Sequence, residues 1–447
     1  MEATISDQLP IALLAGLTSA ALTVCKTGRD ALFFQDRGLF QLPLAYLGIG
    51  LASLPAAFVF VQVMKAWGSR PARAGILIFS SLALSAFVPF LESGKYPVLI
   101  LLFLLIPTLF GLLFASIWLL ASEIFENRPK DQAASAFSKI GASSLAGGIC
   151  GGFLARGLAV YLDPKWLVLL AGGILLVVTG VVVKTHSLFP SLPAVQSESY
   201  SLKEGMRSAG VFREDYARTL LFISMAGALA ALFIDFQFYA SAASATMGSQ
   251  GNALFFANFY ILLNLSALAL QLFLAPRIQD RVGLRGGLIV LPLSLLGGAT
   301  FATAAATAIS RSVLRITEGG VKSSIHRTMW EQAFIPLRSG ERSFVKIAVD
   351  GMGARVAETL GALVILLWLM AAESEAAGVS AARLDLRWMT WTILGTVIIW
   401  LWLTRTIQIP KRSSAGSRVV LAEGSDVFCT RFPDQCPCTT EMGKGIR

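Results

Sequence analysis

Residues 98–121 read VLILLFLLIPTLFGLLFASIWLLA, an uninterrupted run of 24 residues without a charged side chain. A helix needs about twenty mostly apolar residues to cross a bilayer core of roughly 30 Å, so this run predicts a transmembrane helix. The rest of the chain has the same character, because 55% of its 447 residues are hydrophobic and only 14% are charged. Soluble chains carry about a quarter charged residues. The composition therefore argues against a secreted enzyme, a disordered scaffold and a soluble nucleic-acid binder.

Apolar windows of similar length recur along the chain and predict twelve membrane-spanning helices. The first six cover residues 9–34, 42–63, 74–91, 98–121, 136–161 and 166–183. The last six cover residues 220–240, 254–273, 287–309, 313–335, 344–370 and 388–403. We therefore expect an all-α polytopic membrane protein with two six-helix halves, 1–183 and 220–409, a polar cytoplasmic linker at 184–219 and a polar cytoplasmic tail at 410–447.

Lysine and arginine are distributed unevenly among the predicted connections. With the amino terminus inside, the inner connections hold 16 of these cations before the tail, and the outer ones hold seven. Lysine and arginine gather on the cytoplasmic side of membrane proteins, so both termini are predicted to be cytoplasmic. The same asymmetry accounts for the net charge of +10, so no nucleic-acid partner is needed to explain it. The amino end has no positive n-region, so the first window is expected to be a retained span in a bacterial cytoplasmic membrane.

The carboxyl-terminal tail carries two further features. Lys411 and Arg412 form a basic juxtamembrane segment that is expected to contact anionic lipid. Cys429, Cys436 and Cys438 invite a metal interpretation, but three cysteines without a nearby histidine make a weak site, so a mobile, reduced tail is the favoured interpretation.

Two six-helix halves joined by a polar loop are the plan of the major facilitator superfamily, in which the substrate lies near the midplane between the halves. The connection after the eighth window, residues 280–285 with the sequence DRVGLR, resembles the D-R-x-G-x-R loop signature of that superfamily. The connection after the second window, residues 65–70 with the sequence KAWGSR, is a degenerate counterpart.

Charged residues inside the first and seventh windows indicate a polar interior, because a charge at the bilayer centre costs about 2.5–3.5 kcal/mol. Lys26 and Asp30 are one helical turn apart and are predicted to pair, which leaves Arg29 as the unpaired cation. The alternative is that all three lie at the outer end of the helix and snorkel to water. Asp235 in the seventh window is interpreted either as a counter-ion or as an interfacial residue.

The tenth window carries six titratable residues. About 100° of rotation per residue places Arg315, Glu318, Lys322 and His326 on one stripe of the helix, with Arg327 and Glu331 on nearly the opposite stripe. One interpretation is a self-neutralised structural network that pairs Glu318 with Lys322 and Arg327 with Glu331. The other is that Lys322 and Arg315 share a central cavity with Lys26 and Arg29 and create a positive potential suited to a polyanion.

No motif predicts catalysis or a bound cofactor. His186 and His326 are too few and too far apart for a zinc site, and no nucleophile elbow or nucleotide-binding loop is present, so we expect neither an enzyme nor a metal. Gly147, Gly148, Gly151 and Gly152 lie inside a predicted span and are expected to allow close helix packing.

Several separated motifs resemble the bacterial and plastid ATP/ADP translocases, a nucleotide-transporter family related to the major facilitators. Residues 26–33, KTGRDALF, resemble that family's R-D-A-L-F motif, and IWLLASEIF at 117–125 with FSKIGA at 137–142 resembles its W-x-x-A-N-[DE]-x-F…F-x-x-I-G segment. Residues 235–240, DFQFYA, are similar to its D-Y-Q-F-K-A, with Tyr239 at the lysine position. The longest match joins Lys322 and EQAFIPL at 331–337 to the family spacing of Lys346, Asp350, Arg355 and Glu358.

The resemblance implies a nucleotide carrier, either an ATP/ADP exchanger or a proton-coupled importer. It assigns nucleotide binding to Arg29 and Lys322, and a gating or structural role to Asp350 and Arg355. Together with the charge pattern it predicts alternating access, with phosphates engaging Arg29, Lys26 and Lys322. Tyr239 in place of a lysine lowers the positive charge. The alternatives are a carrier for another organic anion and a membrane receptor or assembly factor that transports nothing.

Overall fold

The computed structural model describes residues 2–35, 38–92, 96–125, 130–188, 215–243, 248–337, 345–375 and 386–408. Within these ranges the chain is helical and contains no strand. The predicted linker between 189 and 214 and the cysteine-containing tail from 409 onward lie outside the described residues.

The first group of helices runs from residue 2 to residue 188. In chain order they are α1 (Glu2–Phe33), α2 (Gly38–Trp67), α3 (Ser69–Leu91), α4 (Tyr96–Phe125), α5 (Lys130–Ala159) and α6 (Pro164–Leu188).

The second group follows from residue 215. In chain order they are α7 (Asp215–Ala243), α8 (Gly248–Ala269), α9 (Ala275–Ala305), α10 (Ala308–Val321), α11 (Arg327–Ala333), α12 (Ala354–Glu375) and α13 (Arg387–Thr406). Wider π-helical turns at Leu270–Leu274, Lys322–His326 and Ile347–Gly353 lead from α8 to α9, from α10 to α11, and into α12.

Nine helical stretches in the described part of the chain are long and apolar enough to cross a membrane. They are Gln8–Phe33, Leu39–Trp67, Ser69–Leu91, Tyr96–Phe125, Pro164–Thr185, Asp215–Ala243, Gly248–Ile278, Arg281–Ala305 and Ala348–Ala371. The other three predicted windows fall on α5, on α10 with α11, and on α13, which do not reach that length or hydropathy. Twelve crossings in two halves therefore stay a prediction.

The ends of the helices differ from the predicted windows. Helix α6 continues to Leu188 and α7 already begins at Asp215, so both extend into the stretch predicted as a linker. An apolar window stops at the first cluster of polar residues, whereas a helix continues as long as its backbone hydrogen bonds do.

Glycine residues on α5 allow three helices to pack closely. A Cβ atom on Gly147 would lie 1.9 Å from the carbonyl oxygen of Gly16 on α1, and one on Gly151 would lie 2.5 Å from that of Ala20. The adjacent Gly148 and Gly152 face α8, where a Cβ atom would meet the Asn264 and Ile261 side chains. The prediction that these glycines serve helix packing is confirmed, and the loss of apolar side chains at this junction explains the modest hydropathy of α5.

The two basic loops have the same unusual backbone conformation. Gly68 has φ 85° and ψ 161° between α2 and α3, and Gly283 has φ 65° and ψ −176° where the chain kinks inside α9. This region of the backbone map is essentially restricted to glycine. The degenerate loop and the loop that matches the signature therefore make the same turn.

Contacts between the two groups of helices surround a central cavity. Helices α1 and α5 pack against α8, and α2 packs against α12. The cavity lies between these junctions and is lined by side chains of α1, α2, α4, α7, α10, α12 and the adjoining π turn.

Candidate functional site

The central cavity has a volume of about 520 Å³, within the range of small-molecule sites. Each helix contributes residues three or four positions apart, which is the spacing of one helical face. The charged residues that line it are Lys26, Arg29, Asp235, Arg315, Glu318, Lys322, Arg355 and Glu358. The cavity thus brings together the four residues predicted to bind substrate, Lys26, Arg29, Arg315 and Lys322.

The predicted pairing on α1 is wrong. The guanidinium of Arg29, and not the ammonium of Lys26, pairs with Asp30, at 2.5 Å between Nη2 and Oδ1. Both side chains are buried, with 3% and 0% of their surface exposed, so neither snorkels to water. The Arg29 guanidinium also lies 3.9 Å from the centre of the Phe103 ring on α4, which holds it in place by a cation–π contact.

Asp30 connects the two groups of helices. Its Oδ2 atom accepts a short hydrogen bond from the Tyr260 hydroxyl on α8 and a second, of 3.2 Å, from the Tyr239 hydroxyl on α7. Nη2 of Arg29 donates to the Tyr239 hydroxyl at 3.4 Å. Sequence reasoning missed Tyr260, which lies in an apolar window without a motif, and it treated Tyr239 only as a missing lysine.

Lys26 has no carboxylate partner among the described residues. Its ammonium lies 4.5 Å from the centre of the Tyr260 ring, and the side chain lines the cavity. Lys26 is one turn before Arg29 on the same face of α1, so the two cations are neighbours on the cavity wall.

A four-membered charge network joins α7, α10 and the π turn that follows α10. Arg315 donates through Nε to Asp235 at 2.5 Å and through Nη1 to Glu318, and Lys322 pairs with Glu318 at 3.1 Å. Asp235 is thus a counter-ion of Arg315, which was one of the two interpretations of this residue. The predicted pairing of Glu318 with Lys322 is confirmed. The shared stripe of Arg315, Glu318 and Lys322 is also as predicted.

The predicted common face of the tenth window ends at Lys322 and does not include His326. His326 does not line the cavity; its ring stacks on Trp330 and meets Trp400 of α13 edge-on. The π-helical turn of Lys322–His326 changes the helical register at this point, which a constant 100° per residue cannot anticipate.

The predicted pairing of Arg327 with Glu331 is also wrong. Arg327 lies over the Trp118 ring of α4 at 4.8 Å, whereas Glu331 pairs with Lys346. Asp350 accepts a hydrogen bond of 2.7 Å from the indole of Trp330, outside the cavity.

Arg355, unlike Asp350, lies at the cavity. It lines the cavity and pairs with Glu358 at 2.7 Å. Glu358 was part of a matched motif but was not predicted as a site residue; its spacing of three from Arg355 is the signal that places both on one face.

Aromatic and apolar side chains form the rest of the wall. On α4, Phe103, Phe110 and Phe114 repeat at helical spacing along the cavity, and Tyr46 and Ile49 of α2 lie beside them. The wall therefore combines ionic groups with flat apolar surface, which suits a solute that has both a ring and polar groups.

One end of the cavity is closed and the other is accessible. At the Asp30 end, Phe34 stacks on Tyr239 with ring centres 4.5 Å apart, and Phe103 and Phe256 pack around them. Toward the other end the exposed fraction of the side chain rises to 38% for Arg355 and 53% for Lys322.

The charges of the cavity nearly cancel. Five cations and three carboxylates line it, and Asp30 behind Arg29 adds a fourth carboxylate, which leaves one net positive charge. A site of this kind differs from the strongly positive cavity that the sequence predicted.

Comparison with known proteins identifies the fold. No protein-family model matches the chain, and no curated protein matches it in sequence. Similar solved structures include the nucleoside transporter NupG, with a TM-score of 0.61, 12% identity and coverage of 91% of this chain and 100% of that one. A point mutant of NupG is similar with a TM-score of 0.63, 13% identity and coverage of 90% of this chain and 99% of that one.

The chain thus has the fold of these NupG structures, and its long apolar helices make it an integral membrane protein. These comparisons do not extend to the narrower resemblance to the ATP/ADP translocases.

Proposed function

We propose that the protein is a secondary transporter that moves a nucleoside-type or nucleotide-type solute by alternating access between two six-helix halves. The observation that carries this proposal is the 520 Å³ cavity, which is built from both groups of helices and combines charged residues with an aromatic wall. In transporters of this architecture the site lies between halves that move against each other.

In the proposed cycle, the Asp30 contacts hold one end of the cavity shut. Tyr239 and Tyr260 donate to Asp30 from the second group of helices, so separation of the halves at this end breaks both hydrogen bonds. With the amino terminus cytoplasmic, as the cation distribution predicts, the closed end faces outward and the accessible end faces the cytoplasm.

The charge balance favours a weakly charged solute over ATP and ADP. Arg29 is already paired with Asp30, and Lys322 with Glu318, so a triphosphate would have to break existing ion pairs to find partners. For the buried pair of Arg29 and Asp30, removing one partner costs about 3–5 kcal/mol, which argues against such a rearrangement there. The existing ion pairs therefore argue against the expectation that the phosphates of one solute engage Arg29, Lys26 and Lys322 together.

A carrier for another organic anion is the second candidate, and the single net positive charge of the cavity supports it. A receptor or assembly factor would not need the charged cavity residues for solute movement. Uptake of labelled solutes separates these possibilities.

The test is uptake of labelled nucleosides, nucleotides and simple carboxylates by a bacterium that lacks its own carriers for them. Saturable uptake of a nucleoside or nucleotide is the expected result, and Arg315→Gln should reduce it at least tenfold when uptake is normalised to the amount of folded protein in the membrane. The matched control is Arg218→Gln, which removes a surface arginine paired with Asp215. Uptake of the carboxylates alone would support the second candidate, and well-inserted protein without any uptake would contradict transport.

Uphill accumulation distinguishes the two coupling modes. A proton symporter accumulates solute in empty vesicles when a proton gradient is imposed, whereas an exchanger requires counter-substrate inside. Both remain forms of the same proposal.

A further inference from the structure

The charged residues of the cavity differ in whether they already have a partner. Arg29, Arg315, Lys322 and Arg355 each pair with at least one carboxylate. Among the described residues, Lys26 alone of the cavity cations has none. It therefore accounts for the single net positive charge of the cavity.

The surroundings of Lys26 leave its charge only partly compensated. Its nearest described partner is the face of the Tyr260 ring, 4.5 Å from the ammonium, and a ring quadrupole attracts a cation much less than a carboxylate does. A cation kept at membrane depth without a counter-ion is costly, so a retained one indicates a functional site.

Arg29 supplies a second donor beside it. Its Nε and Nη2 atoms engage Asp30, and Nη2 also donates to Tyr239, whereas Nη1 has no hydrogen-bond partner among the described residues. Because Lys26 and Arg29 are three residues apart on one face of α1, one anionic group can accept from both. Arg29 can do so without leaving Asp30.

We propose that Lys26 is the anchor for a single phosphate group, and that the solute is a nucleoside monophosphate. This inference rests on the proposed function and names the solute class within it. A phosphate monoester carries about −1.5 to −2 charges near pH 7, which matches one free ammonium with an adjacent guanidinium donor. The base then lies against the wall of Phe103, Phe110 and Phe114.

The same pairing of charges disfavours nucleosides, nucleoside diphosphates and nucleoside triphosphates. A nucleoside has no group to neutralise Lys26, so it leaves the ammonium uncompensated. A diphosphate or triphosphate adds one or two further phosphate groups for which no unpaired cation is left, because the remaining cations are held by carboxylates. The expected order of affinity is monophosphate first, then nucleoside, with the diphosphate and triphosphate weakest.

The test is binding of adenosine, AMP, ADP and ATP, and of the corresponding uridine series, to the purified full-length protein by titration calorimetry. For the wild type we expect the monophosphate to bind at least tenfold more tightly than the nucleoside or the triphosphate. Lys26→Gln should lose at least tenfold in affinity for the monophosphate and change nucleoside affinity less than twofold, whereas Lys26→Arg should retain the preference. Lys165→Gln, which removes a lysine paired with Glu92 away from the cavity, is the matched control.

The outcomes are distinguishable. A wild type that prefers the nucleoside or the triphosphate, or a Lys26→Gln variant that keeps the monophosphate preference or weakens every ligand equally, would overturn the assignment of Lys26 while leaving transport intact. Failure of all eight compounds to bind would contradict the nucleoside-type proposal itself. If Lys26→Gln does not fold, the affinity order of the wild type and of Lys26→Arg decides the question.

Discussion

The carboxylate of Asp30 on α1 accepts a hydrogen bond from the hydroxyl of Tyr260 on α8, 230 positions along the chain. The same carboxylate pairs with Arg29 and is fully buried. One side chain thus joins an ion pair of the first group of helices to a hydrogen-bond donor of the second. This arrangement makes the closed end of the cavity depend on a small number of polar contacts that can be removed singly.

Removal of the Tyr260 hydroxyl should open the closed end more often. Hydrogen bonds to charged groups contribute about 1.5–3 kcal/mol, so Tyr260→Phe should shift the equilibrium toward opening by roughly tenfold or more. Ala253→Cys provides a reporter, because Ala253 is buried with Ala31 and Ala159 between α8, α1 and α5. We expect its labelling rate with a membrane-impermeant maleimide to rise in the Tyr260→Phe background, and Tyr161→Phe, at an exposed tyrosine, is the control. An unchanged rate would show that this contact does not hold the end closed.

Loss of Arg315 should destabilise the protein more than loss of its partner. Arg315→Gln leaves both Asp235 and Glu318 without their guanidinium, and Glu318 is 4% exposed. Breaking such a buried network costs about 3–5 kcal/mol. The melting temperature in detergent should fall for Arg315→Gln and recover in part when Asp235→Asn is added, because the second change removes the uncompensated carboxylate. Additive losses in the double variant would contradict the network.

Close packing at Gly147 should not tolerate a side chain. A Cβ atom there would lie 1.9 Å from the Gly16 carbonyl oxygen, so Gly147→Ala must push α5 away from α1. Overpacking typically costs about 1–3 kcal/mol, and here the obstructing atom is backbone, which cannot turn aside. Gly157→Ala on the same helix is the control, since a Cβ atom there meets nothing within 4 Å. Equal melting temperatures for the two variants would refute the packing account.

The two loop glycines should respond alike to substitution. Gly68→Ala and Gly283→Ala each force a side chain into a backbone region with φ of 85° and 65°, at a cost of about 1–3 kcal/mol. Gly297→Ala, in open space within α9, is the control. We expect both loop variants to unfold at lower temperature than the control in a thermal melt. A loss confined to Gly283→Ala would show that the degenerate loop does not need its glycine.

Sequence patterns predicted the helices and the cavity face better than the individual ion pairs. Hydropathy locates a helix because its cause is local composition, and the 100° rotation correctly placed Arg315, Glu318 and Lys322 on one face. An ion pair, in contrast, depends on which residues from other helices the fold places beside a charged group. Lys26 and Asp30 have the right spacing to pair, but Arg29 takes the carboxylate, and the Lys26 ammonium lies over the Tyr260 ring from α8 instead.

The aromatic wall and the tyrosine contacts had no readable signal in the sequence. Phe103, Phe110 and Phe114 repeat at helical spacing, but so do the many apolar residues of the same window that face lipid. Only the fold shows which face of α4 turns toward the cavity. The net charge of the cavity was misjudged for the same reason, since Asp235 and Asp30 neutralise cations that the motifs presented as free.

Counterflow in proteoliposomes tests the central claim most directly. Vesicles that contain the purified protein are loaded with unlabelled nucleoside monophosphate or nucleoside and diluted into a trace of the labelled compound. Alternating access through the central cavity predicts a transient accumulation of label that protein-free vesicles do not show and that Arg315→Gln abolishes when equal amounts of folded protein are compared. Equal label in protein-containing and protein-free vesicles, for every nucleoside and nucleotide tried, would contradict the account.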